Sequence, residues 1–480
     1  MDKPVLSRMP PLSLPKRLVA FFLAAWLLLL PARPSWAFFG SLTLDKERQV
    51  GEEFFLELQQ YYPIIGDPFL NSYLNHVGQR LVAQLGPQPF NYRFFILVDP
   101  TINAFAVPGG YVFITSGMIG IMERESELAG VLAHEISHIY ARHMARQMDK
   151  AKFVNIASLI GGLAAVFLGG GALAEPLLMG SAALSTTAML KYSRDFEREA
   201  DSLGFKWMTK AGYNPRDMIL VFKKMGRQRW FEGGKIPIYL STHPDIDSRM
   251  VDLGHQLSAH QGQIAEKEND PDFQYFTIKL MAISGNAHQL LRRMTQDSLR
   301  EPKNPAFHYG RALALDKLER PDEAMAAFQQ ALSLSPGNYL IQRDLAIHYF
   351  NRNRYPEALK ILETLSPSHP RDEAILYYLG RIYQERRQAD KALPLFEKIH
   401  FLNPAFIEVY YNLGTLYGEK GKIGLSHYYL GFYSLRAKAL STALFHFRKA
   451  LPNLSPGDNR YAEVKRQIAR LEKMRVKVPN

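Results

Sequence analysis

The sequence predicts a mainly α protein in two parts: an N-terminal α+β domain with a small sheet, then a C-terminal α-solenoid of paired helices. Strand-like runs are confined to the stretch around residues 93–115, helical periodicity covers most of the remainder, and from about residue 305 the chain repeats every 34 residues. A chain of 480 residues is also too long for a single core, so two or three domains are expected.

Hydrophobic residues at 47% and charged residues at 22% give an ordinary globular balance, which excludes a disordered chain. The absence of cysteine rules out disulfides, thiolate metal sites, cysteine nucleophiles and a lipidated N-terminal cysteine. Any metal must therefore be held by His and carboxylate. Lys and Arg number 58 against 46 Asp and Glu, a net charge of +12. Within residues 1–37, Lys3, Arg8, Lys16, Arg17 and Arg33 face only Asp2, so a chain without this segment carries about +8 (12 minus 4). That balance favours anionic membrane surfaces or acidic partners. No stripe of Lys and Arg interleaved with aromatics points to nucleic acid, and none is expected as a partner.

Residues 1–37 read as a secretory signal peptide. Lys16 and Arg17 supply the positive region, Leu18 to Leu30 the apolar run, and Ser35-Trp36-Ala37 the small residues at a cleavage site, with the cut after Ala37. The apolar run is shorter than the ~20 residues of a membrane span, which favours cleavage over anchoring. Export without cysteine suggests a bacterial periplasm.

Residues 41–90 read as helical, 93–98 and 111–115 as strands, with a further strand after Asn103 and a turn at Pro108-Gly109-Gly110. A helix is expected from about Ser126 to Met148, with Leu128, Leu132, Ile136 and Ile139 at helical spacing. Residues 257–275 are polar and turn-rich and mark a boundary. The resulting division is 1–37 signal, 38–256 first domain, 257–304 linker and connecting helices, and 305–480 repeats. In the repeats, Ala312, Ala346, Gly380 and Gly414 keep one register; so do Ala324, Ala358, Ala392 and Ser426, the prolines Pro336, Pro370 and Pro404, and Leu315, Tyr349, Tyr383 and Tyr417. Small residues at two fixed places let paired helices approach closely, and proline closes the second helix. This pattern resembles a tetratricopeptide-repeat array, which implies a surface for binding other proteins. Lys438 breaks the proline column, so the second helix of the fourth repeat is expected to run on, with helices around Ala443 and Val464 as a further repeat or cap.

His134-Glu135-Ile136-Ser137-His138 is an HExxH motif. Residues four apart share a helix face, so both imidazoles can grip one ion, with Glu135 turned aside toward its water as general base. The apolar flanks Val131, Leu132, Ala133, Ile136 and Ile139 predict a buried helix, where unpaired imidazoles are costly. A third ligand is needed. His143 stands five residues beyond His138, about 140° off the ligand face of a continuous helix, and reads as a supporting residue. Glu197-Arg198-Glu199-Ala200-Asp201 offers a better donor: Glu197 on the metal and Asp201, on the same face, hydrogen-bonded to a ligand imidazole. Glu199 and Glu175 are fallback ligands. A His-His-Glu set favours one Zn²⁺ per chain over cobalt or manganese.

HExxH followed by Glu197-x-x-x-Asp201, together with Asn103-Ala-Phe-Ala-Val-Pro-Gly-Gly110, Thr242-His243-Pro244 and Arg249, resembles the gluzincin family of zincin-like metalloproteases that includes HtpX, the Oma proteases and the CAAX prenyl proteases. Export combined with C-terminal repeats resembles most closely its periplasmic branch of beta-barrel assembly-enhancing proteases. The resemblance covers residues 45–255 through specific motifs and 305–440 through repeat positions. It implies zinc on His134, His138 and Glu197, and Glu135 as base. On this reading substrate adds to the edge of the strand after Asn103. Arg249 binds the oxyanion or a substrate carboxylate. His243, after Gly233-Gly234, either stabilises the transition state or sits on zinc and holds the enzyme latent.

The apolar stretch 153–190 lies in sequence between the expected ligands, which must meet at one ion. A single membrane crossing would separate them, so a buried or cleft-covering hydrophobic hairpin is favoured, with peripheral membrane contact as the alternative. The expected function is a zinc endopeptidase acting on exported polypeptide substrates, in quality control or assembly of outer-membrane proteins, with the repeats recruiting substrate or the assembly machinery. The alternatives are a chaperone or adaptor working through the repeats, and a membrane-embedded protease.

Overall fold

The computed structural model describes residues 42–151, 156–167, 192–231, 237–260 and 270–474. The expected signal segment, Glu175, Gly233-Gly234 and most of 153–190 lie outside the described residues.

Two helices open the first domain. In α1 (Leu44–Tyr61) the Thr43 hydroxyl accepts from the N–H of Lys46. In α2 (Pro68–Val82) the Asp67 carboxylate accepts from Leu70, and Pro68 sits in the first turn, where it gives up no helical hydrogen bond. The sheet follows: β1 (Arg93–Leu97), β2 (Ala104–Val107) and β3 (Tyr111–Thr115), in the order β1-β3-β2. Strand β3 runs parallel to β1 and antiparallel to β2, which is therefore an edge strand. The turn joining β2 to β3 needs glycine: Gly109 and Gly110 have φ of 89° and 98°, and a Cβ on Gly109 would come within 2.7 Å of the Glu47 carbonyl.

Edge strand β2 is nonetheless buried. The Phe105 ring stacks on Phe113 and Phe167, with centroids 5.0 and 4.9 Å apart. Phe167 ends α6 (Ile156–Phe167), the described part of the apolar stretch, whose Ile160, Leu163 and Ala164 share a core with Val50 and Phe54 of α1. Residues 160–167 thus pack inside the protein, and no described helix is long and apolar enough to cross a membrane.

After the short α3 (Ser116–Gly120) comes the central helix α4 (Glu125–Tyr140), buried from Glu125 to Ile139. Its N-terminus is capped by the Glu127 carboxylate, which accepts from the N–H groups of Glu123 and Arg124 at 2.6 and 3.4 Å. The helix expected to reach Met148 stops at Tyr140. Arg142 adopts the left-handed conformation (φ 53°), and α5 (His143–Ala151) sets off anew. The break is held by side-chain bonds that sequence spacing does not reveal: Arg142 Nε donates to Glu47 at 2.8 Å, and Nη2 to the Leu42 carbonyl at 2.5 Å. Four helices follow: α7 (Arg194–Lys210), α8 (Arg216–Phe231), α9 (Ile238–Thr242) and α10 (Ile246–Ala259); α7 and α8 pack on α4, as does α2, and α10 packs on α7 and α8. Helix α7 packs on α4 with Gly204 facing it; a Cβ there would lie 3.4 Å from the backbone nitrogen of His134, an ordinary contact.

The solenoid begins earlier than residue 305. Helices α11 (Pro271–Ser284) and α12 (Ala287–Arg300) start 34 residues before α13 (Pro305–Lys317) and α14 (Pro321–Leu334), as 305 minus 271 and 321 minus 287 show, and Pro302 continues the proline column. The pair was hidden because Ile278 and Leu290 occupy the columns where small residues stand later. Then come α15 (Tyr339–Asn351), α16 (Tyr355–Leu365), α17 (Glu373–Glu385), α18 (Ala389–Leu402), α19 (Ile407–Glu419) and α20 (Ile423–Arg436). The small columns are enforced sterically: a Cβ at Gly380 would lie 2.8 Å from the Phe396 ring, and one at Gly414 2.6 Å from Leu430. Helix α20 does not run on. Lys438 takes φ 60°, the left-handed turn that Glu319, Asn353 and Arg387 make between paired helices. Helices α21 (Leu440–Ala450) and α22 (Asn459–Lys473) close the array.

One continuous core runs from α2 and the sheet through α11 into α13–α15. Tyr73 of α2 stacks on Phe276 of α11 at 4.7 Å. Beside it lies a buried ionic cluster: Lys279 reaches Asp344 at 2.5 Å and Asp67 at 3.4 Å, and Arg343 reaches Asp344 and Asp372, each at 3.0 Å. Burial alone would raise the Asp344 carboxyl, but Lys279 and Arg343 hold it down at about 2. The repeats are thus joined to the first domain by apolar surface and by paired charge. Arg343→Met leaves the buried Asp344 and its neighbour Asp372 short of a cation, and is expected to cost about 3–5 kcal/mol. A shift in the urea midpoint checks this; an unchanged midpoint would show the cluster to be dispensable.

Candidate metal centre

Helix α4 presents His134 and His138 on one face, as their spacing requires. Glu197 comes from the first turn of α7, and His243 from the residue that ends α9. All four side chains are buried, and they form the one group of metal-holding type among the described residues. His138 Nε2 lies 3.0 Å from His134 Nε2, which is 3.2 Å from His243 Nδ1. Glu197 Oε1 stands 3.0 Å from His243 Nδ1 and 3.5 Å from His138 Nε2, and Oε2 stands 3.5 Å from His134 Nε2. A tetrahedral zinc with bonds of about 2.0–2.1 Å needs donors about 3.3–3.4 Å apart. The donor set and its spacing therefore fit such an ion.

The second nitrogen of the two imidazoles on α4 is also engaged. His134 Nδ1 is 2.9 Å from Asp201, one helical turn beyond Glu197. Arg249 of α10 donates to both Asp201 oxygens at 2.7 Å and meets Glu197 Oε2 at 2.5 Å, so its guanidinium is spent on the two carboxylates. His138 Nδ1 is 2.9 Å from His143 Nδ1, a contact that the break at Arg142 makes available. Glu199, the fallback ligand, turns away to His143 and Arg146.

Glu135 faces the same chamber. Neither carboxylate oxygen has a hydrogen-bond partner, nor do the buried hydroxyls of Tyr192 and Tyr239 or His243 Nε2, which is 3.7 Å from Glu135. These unpaired groups lie around the four donors. Sequence reasoning missed both tyrosines. Tyr192 stacks flat on His138 at 3.7 Å, and Tyr239 on His243 at 4.3 Å; as single aromatics outside any motif they carry no sequence signal.

Burial pushes Glu135 up, leaving its carboxyl a stronger proton acceptor than an exposed one despite the cations nearby. Burial would also raise Glu197, but Arg249, His243 and His134 outweigh it and hold Glu197 well below the usual range. Burial and Arg249 push His134 down, while Glu197 and Asp201 more than compensate and hold it at about 9. His138, buried beside that cation, is held well below its ordinary value.

An HExxH helix meeting a carboxylate from a second helix, with a buried glutamate beside it, defines a metal-dependent endopeptidase, here with an attached helical-repeat domain. Comparison with known proteins agrees. Residues 68–257 match peptidase family M48, and residues 286–339 and 317–382 match tetratricopeptide repeats. The beta-barrel assembly-enhancing protease of Escherichia coli K12 is 30% identical over 338 residues, covering 68% of this chain and 67% of that protein. Its Yersinia pestis counterpart is 28% identical over 359 residues, covering 73% and 72%. The mitochondrial metalloendopeptidase OMA1 of Schizosaccharomyces pombe is 31% identical over 238 residues, covering 48% and 66%. The chain belongs to peptidase family M48.

A divalent ion at these nitrogens must displace the proton that His134 holds below about pH 9. Metal affinity is therefore expected to fall as pH falls, by about tenfold per unit for that one proton, or about a hundredfold from pH 8 to pH 6. Chelator competition at the two pH values checks this; an affinity independent of pH would contradict the charge assignment.

Proposed function

We propose that the chain is a zinc endopeptidase of the bacterial periplasm that acts on outer-membrane β-barrel proteins during their assembly, and that its site is held closed here by His243. The observation that carries this reading is the four-donor cluster of His134, His138, Glu197 and His243, placed against an unpaired, buried Glu135. The names of the bacterial relatives support the substrate class, and the N-terminal signal pattern supports the compartment.

On this reading one zinc is held by His134, His138 and Glu197, and when bound it supplies Lewis acidity and lowers the pKa of water. Glu135 accepts a proton from the attacking water and returns it to the leaving amine, a role suited to a buried carboxyl whose affinity for protons is raised. Asp201 fixes the tautomer of His134, and Arg249 balances Asp201 and Glu197. A substrate strand pairs with the outer edge of β2, beside α4. The protease unit spans 38–256, with the repeat unit beginning at α11 rather than at 305. The repeats recruit the client or the assembly machinery. His243 contributes a fourth donor where a catalytic site keeps an open position, and so makes the enzyme latent.

Two substitutions test this. Glu135→Gln is expected to keep the metal and lose cleavage by about 10²–10⁴-fold. If the variant fully replaces the native protein in cells, a chaperone role of the repeats is the main activity instead. His243→Ala is expected to raise cleavage of an unfolded β-barrel protein about tenfold or more, equivalent to at least about 1.4 kcal/mol of competition relieved. Unchanged turnover in a metal-loaded variant would end the latency reading.

A further inference from the structure

His143 is buried, lies outside the HExxH motif and is no donor to the ion, yet it is bonded to a residue that is. If His138 holds the ion through Nε2, its proton must sit on Nδ1. Nδ1–H then donates to His143 Nδ1 at 2.9 Å, which can accept only if the His143 proton is on Nε2. His143 Nε2–H in turn donates to Glu199 Oε2 at 3.1 Å, and Arg146 Nη1 donates to the same oxygen at 3.0 Å. Every donor in this chain meets an acceptor, and one set of tautomers satisfies all of it. The His143 ring is clamped flat on Phe196, with centroids 4.4 Å apart and planes 12° apart, which fixes where Nδ1 points.

We infer that His143 and Glu199 are positioning residues for the second zinc ligand. His143 orients the His138 ring and holds its tautomer, and Glu199 does the same for His143. The arrangement parallels the other ligand: His134 leans on Asp201, which Arg249 backs, while His138 leans on His143 and Glu199, which Arg146 backs. The two differ in where they end. Asp201 and Arg249 are buried, whereas the Glu199 side chain is 44% exposed. An orienting group behind a metal-bound imidazole is worth about 10–100-fold in metal affinity. Glu199 can be altered with little risk to the fold, which makes the relay testable from its outer end.

This inference rests on His138 being a zinc donor, so His138→Phe is the control and must abolish stoichiometric zinc binding. With purified protein and a chromophoric chelator, His143→Phe, which keeps the ring stack on Phe196, is expected to weaken zinc binding about 10–100-fold. Glu199→Ala should weaken it less, and Glu199→Gln, which still offers an oxygen to His143, should restore it nearly to wild type. In the cobalt-substituted protein, His143→Phe and Glu199→Ala should shift the visible ligand-field bands, which a packing role alone would leave in place. If both variants bind zinc as tightly as wild type with unchanged cobalt spectra, while His138→Phe has lost the metal, the relay is wrong and the ligand set stands. If His143→Phe fails to fold, the Glu199 pair decides alone. If wild type binds no zinc stoichiometrically, or His138→Phe binds it normally, the ligand set fails and the relay with it.

Discussion

Three carboxylates, those of Glu135, Glu197 and Asp201, share one buried pocket with three imidazoles, and the two on α7 can lie there only because their charges are balanced. Glu197 and Asp201 are buried, and a buried carboxylate without a partner is among the most costly features a fold can carry. Arg249 compensates both, and the proton held by His134 supplies further positive charge that a divalent ion replaces. The geometry of the site follows from this balance. Helices α4, α7 and α10 must be close enough for ionic contact, and Gly204 lies where α7 meets α4.

The same solution recurs at the junction between the two halves. Lys279, Arg343, Asp67, Asp344 and Asp372 form a second cluster of opposed charges, and Tyr309 donates to Asp344 beside them. Asp67 caps α2 and Asp372 caps α17, so each carboxylate also satisfies helix N–H groups. The shared core around Tyr73 and Phe276 adds apolar surface. Helices α11 to α15 therefore extend the protease domain's own core, while the later repeats have cores of their own.

Much of this was legible in sequence because it is periodic or local. The HExxH spacing sets two imidazoles on one helix face, Glu197 and Asp201 share another face, and the columns of small residues and proline disclose paired helices. The readings that failed share a cause. The end of α4 was placed at Met148, but a left-handed Arg142, tied to Glu47 far away in sequence, ends it at Tyr140. Residues 257–304 were read as linker and connecting helices, apart from the repeats, because Ile278 and Leu290 stand in the columns that small residues hold in later repeats. Lys438 was read as a missing stop, yet it makes the same turn as Arg387.

The sequence by itself determined the ligand helix, the acidic partner helix and the repeat period, since each depends on spacings within one element. Only the tertiary structure decided that His243 stands among the donors, that Arg249 faces carboxylates, and that His143 bonds to His138. Those contacts join residues on separate elements or across a backbone reversal, where proximity is set by packing and by the balance of buried charge, and no local pattern in the chain encodes either.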